Sequence, residues 1–403
     1  MPNSSFKRHQ QASKTIIRHL IASQLNKKPE ELTSDDYASL RKFELSGPTV
    51  TDIKPLSKLI NLQILTLENL NIPTIKTTIW ENTLAKLHII NPSERDLIDL
   101  GPLEKLTDLQ RLKIDNINVK NIKPLAKLKD MQELNLINTQ TTDIKPLANL
   151  TNLKSLDLYD NPISNIEPLG NLINLQTLRL NGTQVGDIEP LEELKELQLL
   201  DLSDTQVNSI EPLAKLSSLQ KLYLRQTNVK NIEPLSGLVN LQKLSLSKTA
   251  VTDIQPLIGL INLHTLTIED MQISDIKPLV NMTSLKTLII SDTNVSDIKP
   301  LVGLTNLQTL YLSRTPLADI KPLGGLINLQ ELSLFETQVS DLEPLKGLTK
   351  LQWLQLGKIP TGDLDPIKEL KNLEYLGLMD CKNVTHLQVA DLQKVLPDLL
   401  IYH

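Results

Sequence analysis

Pairs of leucines separated by one variable residue recur along this chain, as in Leu178-Arg179-Leu180 and Leu222-Tyr223-Leu224. Alternation at period two puts both leucines on one face of an extended segment and the intervening residue on the other. From Phe43-Glu44-Leu45 to Leu376-Gly377-Leu378, sixteen such segments are predicted strands. A short turn follows each strand, then a return such as Asp187-Ile188-Glu189-Pro190-Leu191. There the proline fixes its own φ and biases the preceding residue away from helix, which suits entry to a short helical turn.

The prolines give the period. Pro102, Pro124, Pro146 and their successors to Pro366 stand 22 residues apart. Pro55 precedes Pro102 by 47 residues, two periods plus three, so one repeat between them is degenerate, with Thr77 in place of the proline and an insertion near Pro92. Residues 68–101 are therefore expected to be the least regular, with Trp80 filling the place of missing leucines. A unit of 22 residues cannot bury a core alone, so successive units must stack strand beside strand. The predicted fold class is an α/β solenoid with one parallel sheet on one side and short helical turns on the other, on the order of 75 Å long.

Other columns of the repeat read as structure. Thr139, Thr183, Thr205, Thr227, Thr249, Thr293, Thr315 and Thr337 share a position three residues past each strand. A hydroxyl there could serve the buried backbone of the next turn along. Cys381 occupies the same column and is expected to be a packed thiol. Asp253, Asp275 and Asp297 recur before Ile-x-Pro and are expected to bond to local backbone rather than form a carboxylate cluster. Glu167, Glu189, Glu211 and Glu233 stack as four like charges, a solvated stripe or an electrostatic docking edge.

A solenoid needs capped ends. Residues 1–41 are expected to form a helical amino-terminal cap, with Ile16, Ile17, Leu20, Ile21 and Leu25 on one helix face and Lys14, Arg18 and Gln24 opposite. A second short helix is predicted over 34–40, behind a Ser or Thr cap. The alternative for the first helix is a basic targeting or membrane-surface segment, since no acid precedes Glu30. Residues 42–380 are the repeat array. Residues 381–403 are the carboxy-terminal cap, with a helix over 389–395 and a last strand after Pro397.

The net charge of −5 excludes a broadly basic nucleic-acid-binding face. No stretch approaches the ~18 apolar residues of a membrane span. One cysteine permits no internal disulfide. The six histidines show no metal-ligand spacing, and no phosphate-binding glycine loop is present. No catalytic residue, metal or cofactor is expected, and we expect a monomer. Without a secretory signal the expected location is cytoplasmic, the alternative being release or delivery to a host by another route.

From about Leu40 onward, the paired strand leucines, the Thr-x-Val turn and Asp-Ile-x-Pro-Leu resemble the 22-residue leucine-rich repeat of bacterial internalins. The repeat length is also similar to that of a eukaryotic regulatory subunit of protein phosphatase 1. The resemblance implies a leucine-rich-repeat horseshoe whose concave sheet binds a protein partner. The alternative it carries is a regulatory subunit of an intracellular enzyme such as a phosphatase.

The aromatics indicate where a partner would dock. Eleven aromatic residues are present. Tyr159, Tyr223, Tyr311, Phe335, Trp353 and Tyr375 fall on strand positions expected to face away from the core: the residue before the first leucine, the one between, and the one after the second. Those positions are about a ninth of the chain, so chance would place about one there. Exposed aromatics at this density mark protein-binding surfaces. Tyr311, Phe335, Trp353 and Tyr375, on four consecutive strands, form the main expected site, with Lys243, Lys248, Arg314, Glu331 and Glu336 as its rim. Asp157, Tyr159, Asp201 and Tyr223 form a second, more acidic one. Alternatively, Trp353 and Tyr375 shield the carboxy-terminal cap.

Overall fold

In the computed structural model, residues 4–47, 50–70 and 97–403 are described, with side chains from residue 10 onward. The degenerate repeat, Thr77 and Trp80 lie outside the described residues. The chain divides into two compact units, residues 1–200 and 201–403. Among the described residues sixteen strands form a parallel sheet whose spatial order is the sequence order.

The first unit opens with helix α1 (Ser4–Gln24) and the short helix α2 (Ser34–Ser39). Its strands are β1 (Lys42–Ser46), β2 (Ile64–Glu68), β3 (Arg111–Asp115), β4 (Glu133–Ile137), β5 (Ser155–Asp157) and β6 (Thr177–Arg179). Helix α1 is the expected cap, and its contact is narrower than the sequence suggests. Ser13, Ile17 and Ile21 are fully buried one turn apart, with Ala22 beside them, whereas Leu20 is exposed and Ile16 and Leu25 are half-buried. The polar Ser13 is central to this seam: its Oγ accepts the backbone N–H groups of Thr51 (2.9 Å) and Asp52 (3.3 Å) in the first repeat. Thr33 caps α2 through the Asp36 N–H, and Asp36 returns the bond by accepting the Thr33 N–H.

The sixteen strands are not quite those expected. Strand β2 pairs directly with β3, Leu65 opposite Leu112 and Leu67 opposite Ile114. Among the described residues no strand lies between β2 and β3, and the repeat expected between Pro55 and Pro102 falls mostly on residues 71–96, outside those described. The sixteenth strand is instead at the far end, β16 (Leu400–Tyr402).

Strand β7 (Leu199–Asp201) spans the division between the units. The second unit continues with β8 (Lys221–Tyr223), β9 (Lys243–Ser245), β10 (Thr265–Thr267), β11 (Thr287–Ile289) and β12 (Thr309–Tyr311). It ends with β13 (Glu331–Ser333), β14 (Trp353–Gln355), β15 (Tyr375–Gly377), helix α3 (His386–Val395) and β16. Helix α3 starts three residues earlier than expected because Thr385 and Gln388 form a capping box. The paired leucines of these strands, Leu310 and Leu312 among them, are inaccessible to solvent. Successive 3-10 turns begin one residue before each repeat proline, as at Lys299–Leu301.

The polar columns hold this backbone. Asp253, Asp275 and Asp297 each accept the N–H two residues on, at 2.8–3.0 Å, which fixes the entry to the 3-10 turn. The threonine column works only in part as expected. The hydroxyls of Thr205, Thr227, Thr315 and Thr337 donate to the carbonyl three residues back, at the end of their own strand, at 2.6–2.8 Å. Two members of the column do reach the next repeat, as expected: the Thr139 hydroxyl donates to Asn161 Oδ1 at 2.9 Å, and the Thr249 hydroxyl lies 3.9 Å from the Met271 sulfur. Within the second unit, successive repeats are also joined by an asparagine column the sequence reading missed. Asn240, Asn262, Asn306, Asn328 and Asn372 donate to carbonyls 23 residues earlier at 2.7–2.9 Å. The recurring Leu-x-Asn-Leu before each strand was the available signal. Cys381 is buried as expected; its thiol donates to the Leu356 carbonyl, and burial pushes its pKa up.

Candidate binding surface

Parallel pairing in register places every 22nd residue side by side, so a strand position becomes a column across the second unit. Two columns matter. Thr309, Glu331, Trp353, Tyr375 and Leu400 stand before the first core residue of their strands. Tyr311, Ser333, Gln355, Gly377 and Tyr402 stand between the core residues.

The aromatic rings cross between these columns. Tyr311 leans over the small Ser333 to reach Trp353, with ring centroids 5.7 Å apart. Trp353 and Tyr375, direct neighbours, stack at 5.4 Å with planes 11° apart. Tyr375 meets Tyr402 at 5.3 Å. Contacts of this kind sit in the range where offset and tilted ring pairs are favourable. The four rings make one continuous row, and Trp353, Tyr375 and Tyr311 are half-buried while Tyr402 is 55% exposed. Sequence reasoning missed Tyr402 because β16 begins 25 residues after β15 rather than 22, outside the repeat frame. The cap strand therefore prolongs the aromatic row; Trp353 and Tyr375 keep a solvent-facing side.

Polar groups fix the row. The Tyr311 phenol donates to the Glu331 carboxylate at 2.6 Å. Burial first, then this bond, pushes the Tyr311 pKa up to about 12. Gln355 lies across Gly377, where a Cβ would collide with its side chain, and accepts the Gly357 N–H at 3.0 Å.

Phe335 is not part of the row. It follows the second strand leucine, packs against the backbone of Gly357 and carries the Lys358 ammonium 5.2 Å above its ring. That third position was expected to face outward throughout; in the second unit Ser247, Ser291 and Ser313 occupy it and are buried. The chain is already turning there, toward a residue in the left-handed region: Lys248, Asp292, Arg314, Glu336 and Lys358 all have φ between 54° and 61°. Their side chains pair along the array, Arg314 with Asp292 and Lys358 with Glu336 at 3.4 Å. Most of the expected rim is thus engaged with its own neighbours.

The residues of the expected acidic site fall in different units. In the first, Asp157 is 9% exposed, accepts the Tyr159 N–H at 3.0 Å and faces Arg179, while Tyr159 is 43% exposed. In the second, Asp201 accepts the Ser203 N–H at 3.0 Å and Tyr223 is half-buried. Among the described residues no group of three His, Cys, Asp or Glu could hold a metal ion, and no helix is long and apolar enough to cross a membrane.

The family description "Leucine Rich repeats (2 copies)" matches residues 129–171, 151–193, 195–238, 239–281 and 283–325. No curated protein matches the chain in sequence. Among solved structures, internalin InlF of Listeria monocytogenes is 30% identical, with a TM-score of 0.75 over 85% of this chain and 95% of that one. A leucine-rich-repeat protein of Leptospira interrogans is 26% identical, with a TM-score of 0.77 over 92% and 97%. The ectodomain of the Arabidopsis thaliana receptor kinase GASSHO1/SCHENGEN3, solved with CASPARIAN STRIP INTEGRITY FACTOR 2, is 18% identical. Its TM-score is 0.64 over 93% and 48%, a likeness of fold.

Proposed function

The chain belongs to the internalin-like leucine-rich-repeat proteins, and from that premise we propose that it is a scaffold whose protein partner docks on the aromatic row of Tyr311, Trp353, Tyr375 and Tyr402. Proteins of this fold act as protein-binding scaffolds, and the Arabidopsis neighbour was solved with a bound factor. The fold is typically non-enzymatic.

The observation that carries this reading is the partly exposed row itself. Four rings in contact offer large, pre-ordered apolar area that loses little side-chain entropy on binding. Trp and Tyr of this kind dominate the energetics of protein interfaces. The anchoring of Tyr311 by Glu331 adds to the pre-order. Phe335 contributes as a flank, and the paired charges at Arg314, Glu336 and Lys358 supply a polar border.

The test begins with affinity capture from cells by the wild-type chain and by the Trp353→Ala/Tyr375→Ala variant. A partner retained by wild type and by Ser245→Ala, but lost by the double variant, supports this surface. A partner retained equally by all three would place the contact elsewhere.

A further inference from the structure

Helix α1 covers the first repeat along one narrow seam and leaves a cleft of about 720 Å³ beside it. The cleft is strongly cationic. Lys14 and Arg18, one turn apart on α1, form one wall; Lys54 and Lys58, at the two ends of the 3-10 turn of the first repeat (Lys54–Lys58), form the other. Against these four stands one lining carboxylate, Asp52, and it already accepts the Lys54 N–H at 2.9 Å. Among the described residues none of the four cations is in an ion pair with an acid. This is at odds with the chain as a whole: residues 1–58 hold ten basic against six acidic residues, within a protein of net charge −5.

Two of the cations are held in place. The Arg18 Nε donates to the Pro29 carbonyl at 2.7 Å, which orients the guanidinium and leaves its terminal nitrogens for another acceptor. The Lys58 ammonium sits 5.1 Å over the Tyr37 ring. Four like charges facing one cleft weaken the fold by mutual repulsion. A ligand that brings negative charge removes that cost.

We propose that the cleft between α1 and the first repeat binds a compact anion bearing at least two phosphoryl groups. Opposed pairs of cations suit two doubly charged groups, and an oriented guanidinium matches the oxygens of a phosphoryl group better than a point charge does. The volume lies within the range of small-ligand sites. The two sources of this chemistry are a soluble phosphorylated compound and the headgroup of a phosphorylated inositol lipid.

Titration calorimetry of the full chain with inorganic pyrophosphate at low ionic strength tests this. Saturable one-to-one binding is expected, weakening as salt rises, with a ligand-dependent rise in melting temperature. Lys54→Gln/Lys58→Gln should lose at least tenfold in affinity while melting close to wild type without ligand, since the repulsion it relieves offsets the lost contact of Lys58 with Tyr37. Lys123→Gln/Lys145→Gln changes lysines at the same repeat position as Lys54 but with no facing helix, and should bind like wild type. Absence of pyrophosphate binding, or equal loss in both double variants, overturns the proposal. Phosphatidylcholine vesicles with and without phosphatidylinositol bisphosphate separate the sources. Recruitment that depends on the bisphosphate and on Lys54 and Lys58 assigns a lipid headgroup; pyrophosphate binding without recruitment assigns a soluble ligand.

Discussion

The phenol of Tyr311 donates to the carboxylate of Glu331 on the adjacent strand, and the bond holds the tyrosine ring against Trp353 two strands away. Ser333, the neighbour of Tyr311 on the intervening strand, is small and buried and sets no bulky side chain beside the ring. The Tyr311–Glu331 bridge also has a titration signature. With the folded pKa raised to about 12 from an ordinary 10, the native state keeps a proton that the unfolded chain releases. The stability this confers is complete below pH 10 and is lost as pH rises toward 12. The phenolate absorbance difference between wild type and Tyr311→Phe should therefore develop near pH 12, and Glu331→Gln should bring it down. A difference that develops near pH 10 in wild type would show that the bridge is absent.

The two glycines behind the row should respond unequally to alanine. At Gly377 the added Cβ meets only the flexible end of Gln355, which can swing aside. At Gly357 it meets the Met379 carbonyl and the Phe335 ring, both at 3.0 Å, and the backbone cannot yield so easily. Gly357→Ala should cost ~1–3 kcal/mol and Gly377→Ala less than ~1 kcal/mol. Equal shifts in denaturant midpoint would contradict this packing.

Core and face should separate cleanly. Leu310 is inaccessible to solvent in the middle of the second unit, so Leu310→Ala should cost ~2–5 kcal/mol through the cavity it leaves. Ser245 is half-buried on the strand face, and Ser245→Ala should change stability by less than ~0.5 kcal/mol. Comparable losses in chemical unfolding would reverse the inside and outside of the sheet.

The amino-terminal seam depends on one hydroxyl. Ser13→Ala would leave the half-buried N–H groups of Thr51 and Asp52 without their acceptor, at a cost of ~1–2 kcal/mol. Leu20→Ala, on the exposed side of the same helix, should cost much less. Hydrogen exchange at Thr51 and Asp52 should accelerate in Ser13→Ala; unchanged protection would mean that α1 does not cap the first repeat as described.

Much of this architecture was legible in the sequence because a repeat converts spacing into geometry. Leucines every second residue and prolines every 22nd specify strand, turn and stacking direction together. Recurrence also sorted structural carboxylates such as Asp253 from chemical ones. Legibility ended where the frame breaks. The direct pairing of β2 with β3 cannot be read from a count of prolines, which measures chain length and not adjacency. Tyr402 was invisible as a fourth ring because three extra residues precede its strand. Phe335 was grouped with the row by strand order, although its position lies where the chain already turns away. The threonine hydroxyls were read correctly only in part: Thr139 reaches Asn161 in the next repeat, whereas Thr205, Thr227, Thr315 and Thr337 bond a carbonyl three residues back in their own.

In the function proposed above, a protein partner docks on the row of Tyr311, Trp353, Tyr375 and Tyr402. The most direct test is the dissociation constant of the purified partner for wild type and for Trp353→Ala/Tyr375→Ala, measured by calorimetry beside the thermal unfolding of each. The double variant should lose at least ~2 kcal/mol in binding, about thirtyfold in affinity, with its unfolding transition nearly unchanged. Wild-type affinity in the double variant would contradict that docking, and early unfolding would mean that the two rings serve the carboxy-terminal cap instead.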